Sequence, residues 1–343
     1  NAVLDSVKLN ENGEFSFKIP VKDASILWLG TSEDNYITLV CEQGETPELS
    51  GDIRSLPATY TVKGSPGSEK LLELHLYTLK HYELFDSLSE IWEQGKYDKD
   101  KLALRDSLDS IARGVYQAQE EYVKQFVENN MESLTAILAL YQVFGRIPVL
   151  DEFEYLDLYD QTAQSLKLKY PTNQHVNELS ARVSKNKALQ KEKEEITKRL
   201  LPGNPVPELS LPDREGSPVS VADYKGYALL LYFWSSTDPK CRKMNPELLT
   251  LQKKYEAKGF SLFSISLDNN PDIWEKAITL DKLPGVHVID QRGWSSPVIN
   301  MFNIESIPHT ILIDKEGIII GNNLNFEEIN TRLHETVSAN KNP

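Results

Sequence analysis

Positive charge is in short supply in this sequence. Its 37 Lys and Arg face 51 Asp and Glu, a formal net charge of -14 at pH 7. Non-specific binding to nucleic acid or to anionic lipid needs a basic face, so neither is expected as a function. Cysteine is scarcer still, with only Cys41 and Cys241. Two cysteines exclude a disulfide framework and a four-thiolate zinc site. A Cys41–Cys241 bridge would have to join two distant parts of the chain. Cys41 sits in an apolar run, residues 37–41, and reads as a small core residue. No apolar stretch is long enough for a transmembrane helix. The chain shows no leader sequence and opens inside a strand-like pattern at residues 3–9, as expected if an upstream segment has been removed.

What is present divides into three parts by periodicity. Residues 1–65 read as a small all-β domain. Phe15, Phe17 and Ile19 alternate with Glu14, Ser16 and Lys18 behind an Asn12-Gly13 turn, and short apolar runs follow at 26–29, 37–41 and 59–62. Residues 66–200 change to a helical period. Leu74, Tyr77, His81, Leu88 and Trp92 form one stripe, and four more helices are expected, over 99–130, from 131, after 148 and from about 173 to 200. The last ends in a Lys/Glu run that reads as a solvated helix face. His75 and His81 are six apart and do not share a helix face. No chemistry is expected in either part.

Leu201-Pro202-Gly203-Asn204-Pro205-Val206-Pro207 makes a stiff linker, and residues 201–343 alternate strands with helices, the pattern of an α/β domain. Its centre is the stretch 227–246, Y-A-L-L-L-Y-F-W-S-S-T-D-P-K-C-R-K-M-N-P. The apolar first half predicts a buried central strand. Asp238 followed by Pro239 predicts an N-cap and first helical position. Cys241 falls in the first helical turn, and Pro246 is expected to kink the helix.

These residues, with S-I-P-H-T-I-L-I-D-K-E-G at 306–317, resemble the TlpA/ResA-type thioredoxin-like proteins of the AhpC/TSA superfamily. The domain order and the S-V-K-L-N-E-N-G-E-F-S-F segment at 6–17 resemble multi-domain Gram-negative envelope proteins. The fold implied is an α/β thioredoxin fold at the C-terminus, preceded by the small all-β domain and the α-helical region. The chemistry implied is thiol–disulfide exchange at C-x-x-C, with a cis-proline, here Pro308, beside the cysteine pair. The second cysteine position is Cys241, and the first is Asp238. An aspartate forms no disulfide, and its charge raises a neighbouring thiol's pKa. The resemblance therefore implies a redox-inactive or single-thiol protein that binds protein or peptide partners, with Trp234, Thr237, Pro239, Ile307, Pro308 and His309 as the groove. An active oxidoreductase or a peroxidase using Cys241 alone is the alternative. The peroxidase would need a Thr three residues before its cysteine and a free arginine, where this chain has Asp238 and Arg242. A hydrolytic Asp238–His309 pair and a metal held by Asp238, Cys241 and His309 are further readings of the same atoms. No cofactor is expected. The implied location is the periplasm or the outer-membrane-anchored envelope of a Gram-negative bacterium, and a lipid anchor upstream is compatible with it.

Overall fold

The computed structural model describes residues 3–21 and 23–338. They fall into two compact units, residues 1–189 and 190–343.

The first unit opens with a turn in which Gly13 N donates to Asn10 O and Asn10 N donates to Glu14 O. The strands expected on either side of it, over 3–9 and 14–19, are absent among the described residues. Val3, Leu4, Val7, Leu9 and Phe15 are exposed, so alternation here has no second layer to bury one face against. Two antiparallel pairs follow, β1 (Ser25–Ser32) with β2 (Asn35–Cys41) and β3 (Glu48–Ser50) with β4 (Thr61–Lys63). A one-turn helix, α1 (Leu56–Thr59), takes the start of the run expected as strand at 59–62. The helices are α2 (Pro66–Gly95), α3 (Lys101–Asn129), α4 (Thr135–Leu140), α5 (Leu156–Lys169) and α6 (Gln174–Arg199). Between α4 and α5 lies a tight pair, β5 (Val143–Phe144) and β6 (Ile147–Pro148).

The sequence separates a β part from a helical part at residue 65; Ile37, Leu39, Cys41, Tyr60 and Val62 form a cluster of their own in the β part, while other residues of it pack with the helices. Ala24 and Val40 pack in the same cluster as Leu74, Val123 and Phe126. A two-stranded ribbon cannot bury both of its faces alone, and the helices supply the missing layer. His75 is bonded through Nε2 to Pro57 O, and His81 through Nδ1 to Gln119 Oε1.

The second unit begins with a short hairpin, β7 (Ser210–Pro212) and β8 (Pro218–Ser220), turning at Asp213–Gly216. Then come β9 (Ala228–Trp234), α7 (Pro239–Tyr255), β10 (Phe260–Ser266), α8 (Pro271–Asp281) and β11 (Val286–Ile289). The short α9 (Pro297–Met301), the antiparallel β12 (His309–Ile313) and β13 (Ile319–Asn322), and α10 (Phe326–Ser338) complete it. The five-stranded sheet has the order β11-β10-β9-β12-β13. Strand β9 lies at its middle, parallel to β10 and antiparallel to β12.

All seven residues of β9 are buried. Successive side chains of a strand point to opposite faces. Leu230, Tyr232 and Trp234 therefore enter the layer formed with α7, α8 and α10, beside Cys241, Leu248, Trp274 and Ile329. Leu229, Leu231 and Phe233 enter the other layer, with Val298, Phe302 and the hairpin residues Leu211 and Val219. Both faces are covered, which is why the run carries no polar alternation. This mixed sheet with helices on both sides is the thioredoxin fold expected for the C-terminal part.

Candidate functional site

Three residues, 235–237, lead from the end of β9 into α7. A single carboxylate fixes the first two. Asp268, buried just past the end of β10, accepts from Ser235 Oγ (2.7 Å), Ser236 N (2.9 Å), Ser236 Oγ (3.0 Å) and Ser266 Oγ (2.7 Å). Sequence reasoning missed Asp268; its signal is an acidic residue directly after a buried apolar strand.

Helix α7 then starts as its sequence dictates. Asp238 is extended (φ -85°, ψ 121°), and its carboxylate accepts from Cys241 N at 2.8 Å. Pro239 takes the first helical position, where its missing N–H costs nothing. The helix continues through Pro246 to Tyr255. Beneath its first turns, Tyr232 Oη lies 3.1 Å from Cys241 O and 3.0 Å from Asn245 Oδ1. Arg242 grips Asp281 through Nε (2.6 Å) and Nη2 (2.7 Å), and Asn245 Nδ2 donates to the same carboxylate. The Arg242 guanidinium also donates to Ser236 O, so it is committed to structure on two sides.

Cys241 is 0% exposed. Burial pushes its thiol up to about 12; the Asp238 carboxylate adds to the rise, while the Ser235 backbone and the Tyr232 hydroxyl oppose it. A helix start ordinarily lowers a thiol's pKa. Here the helix N-terminus has been given a carboxylate and the sulfur has been sealed from water, and both reverse that effect. Cys41 and Cys241 are both free.

The Ile307–Pro308 peptide is cis. Pro308 lines an open groove of about 390 Å³ together with Lys240, Lys243 and Met244 of α7 and with Leu324 and Phe326. The structure thus brings Asp238, Pro239 and Cys241 together at one helix start, and sets Pro308 across the groove from the same helix.

Of the six residues expected to form the groove, only Pro308 lines it; Thr237, Pro239 and Ile307 are outside its lining, and the other two lie in the core. Trp234 is fully buried and stacks on Tyr232 at a centroid distance of 6.1 Å. It faces the α7 layer of the core because it follows Tyr232 by two along the strand. His309 is buried as well; its Nε2 meets Asn322 Oδ1 at 2.9 Å, and its ring sits edge-on to Phe233. Burial holds its imidazole below the usual range. Strand alternation turns it away from the side Pro308 occupies, so an Asp238–His309 pair does not form. Thr237 is exposed, with Oγ1 3.0 Å from Ser235 Oγ. Among the described residues no group of three or more His, Cys, Asp or Glu is placed to hold a metal ion. No described helix is long and apolar enough to cross a membrane.

Comparison with known proteins bears on the same part of the chain. Residues 202–321 match the AhpC/TSA family. The thiol-disulfide oxidoreductase ResA of Bacillus thuringiensis subsp. konkukian is 27% identical over 118 residues, 34% of this chain and 66% of that protein. ResA of Geobacillus kaustophilus is 28% identical over 115 residues, 34% of this chain and 64% of that protein. The chain therefore spans just under two thirds of the length of these curated relatives. Among solved structures, the thioredoxin domain of a thiol-disulfide oxidoreductase from Bacteroides vulgatus is 32% identical, over 40% of this chain and 99% of that one, with a TM-score of 0.38. A thiol-disulfide oxidoreductase from Bacteroides fragilis is 32% identical, over 38% and 98%, with a TM-score of 0.37. Residues 202–321 thus match the AhpC/TSA family, and over that part the chain is similar to thiol-disulfide oxidoreductases.

Proposed function

We propose that this protein does not carry out dithiol–disulfide exchange and acts instead by binding protein or peptide partners in the groove beside Pro308. One observation carries the reading: Asp238 caps α7 where the attacking cysteine would stand, and the remaining thiol is buried beneath it. Exchange begins with attack by an accessible thiolate. Cys241 has neither the access nor the ionisation for that step, which also weighs against mixed-disulfide chemistry by Cys241 alone. Peroxide reduction would need a free arginine beside the sulfur, and Arg242 is bound to Asp281. The location that goes with this reading is the periplasm or the outer-membrane-anchored envelope of a Gram-negative bacterium. Its support is the resemblance of the domain order to envelope proteins, and cell fractionation tests it.

The functional test is insulin reduction with dithiothreitol as electron donor. The parent protein should leave the uncatalysed rate unchanged. Asp238→Cys should create reductase activity, because it places a second thiol three residues before Cys241 at a helix start that is already formed. Parent activity at the rate of an ordinary dithiol thioredoxin would refute the proposal. No gain in Asp238→Cys would show that the groove, as well as the thiol, has left the ancestral chemistry.

A further inference from the structure

The groove carries a charge pattern that thiol exchange does not call for. Lys240, Lys243, Met244 and Glu247 fall at i, i+3, i+4 and i+7 along α7, so they share one helix face and together form one groove wall. The rest of the lining mixes apolar Pro308, Leu324 and Phe326 with the uncharged polar residues Thr310, Asn323 and Asn325. Arg242, between the two lysines in sequence, is tied to Asp281. Among the described residues, neither Lys240 nor Lys243 has a carboxylate oxygen within 4.0 Å. Both are exposed. In a chain of net charge -14, two unpaired cations on one wall of a groove otherwise lined by apolar and uncharged polar residues and Glu247 run against the surface as a whole.

We infer that the groove selects an extended polypeptide segment carrying acidic side chains, which it places opposite Lys240 and Lys243. This rests on the reading that the groove binds polypeptide, and it adds the chemistry of the partner. The apolar side accepts the alternate side chains of an extended strand, and the lysines fix which residues lie on the other side. Glu247 stands at the far end of the same face, ~10 Å from Lys240 by helical rise. It disfavours a second acidic cluster there, and so orients the segment with its acidic residues toward the start of α7. Exposed pairs of this kind are individually weak and salt-sensitive, so they supply selectivity more than affinity.

The experiment is fluorescence anisotropy on the full chain with three labelled strand-forming peptides of Val and Thr, identical except for a central pair of Asp, Asn or Lys. The Asp peptide should bind best, by roughly 3- to 20-fold over the Asn peptide at low salt. The double variant Lys240→Ala/Lys243→Ala should lose that preference, binding the Asp and Asn peptides equally, and 0.5 M salt should erase it in the parent. Equal affinity for all three peptides would overturn the charge inference and leave the groove reading standing. No binding of any peptide would remove both. An Asp preference that survives in the double variant would place acid selection outside this wall and overturn the assignment. Circular dichroism of the double variant checks that the fold is intact.

Discussion

The reactivity of Cys241 is the most direct measure of what the site can do. With its thiol pushed up to about 12 by burial first and Asp238 second, the thiolate fraction at pH 8 is ~1 in 10,000. A free thiol near pKa 8.5 is roughly one quarter ionised at the same pH. Alkylation of Cys241 by iodoacetamide should therefore run about 2,500-fold slower than in the unfolded chain, before any further loss from access. Quenched time points, digested and read by peptide mass spectrometry, separate Cys241 from Cys41. The logarithm of the native rate should climb linearly with pH up to pH 10, without a plateau. Asp238→Ala distinguishes the two causes. Because burial leads, removing the carboxylate should raise the Cys241 rate by no more than about tenfold. The same change should cost on the order of 1 kcal/mol in stability, since Cys241 N loses its cap. A native rate that levels off near pH 8 or 9 within tenfold of the unfolded rate would refute the reasoning. So would an Asp238→Ala variant that becomes fully reactive.

Two other predictions concern the scaffold. Burial pushes His287 down to about 4 from 6.5, and its ring is held between Ser264 Oγ (2.6 Å) and Leu283 O (3.0 Å). Between those pH values the unfolded chain binds a proton that the native one does not, so stability is complete above pH 6.5 and falls as pH drops toward 4, by on the order of 3 kcal/mol. Amide exchange in β10 should report that slope, and His287→Gln should flatten it; an unchanged slope in the variant would assign the pH dependence to other groups. Gly285 has φ +86°, and a Cβ there would come 2.2 Å from Leu262 O. Gly285→Ala should therefore destabilise the sheet by roughly 2 kcal/mol or more in urea unfolding, because backbone on both sides must shift; a loss below about 0.5 kcal/mol would contradict the geometry.

Much of the C-terminal fold can be read from the residues alone, and so can the altered helix start. The apolar run of β9 and the Asp238-Pro239 pair act locally, within a few residues of the features they cause. Trp234 and His309 show where local reading stops. Strand β9 is buried on both faces, so no polar residue marks which side chain meets which layer. His309 follows the proline at the groove, yet one step along a strand reverses the side a residue faces. Leu324 and Phe326 reach the groove from beyond β13, some eighty residues after Lys240 and Lys243. That meeting follows from sheet order, which no local period encodes. At residues 3–19 the alternation is clear in the sequence, but strand pairing needs a layer to cover it, and the described residues provide none.

Asp268 separates two properties that a redox motif normally fuses. The loop entering α7 is clamped through Ser235 and Ser236 by a carboxylate just beyond the end of the neighbouring strand, with no contribution from the side chain at 238. Position 238 is therefore a socket whose occupant can change while the loop that presents it stays put. The shape of the loop and the identity of the residue it presents are therefore set by different parts of the chain, and a substitution at 238 is expected to change the chemistry of the helix start without moving the loop.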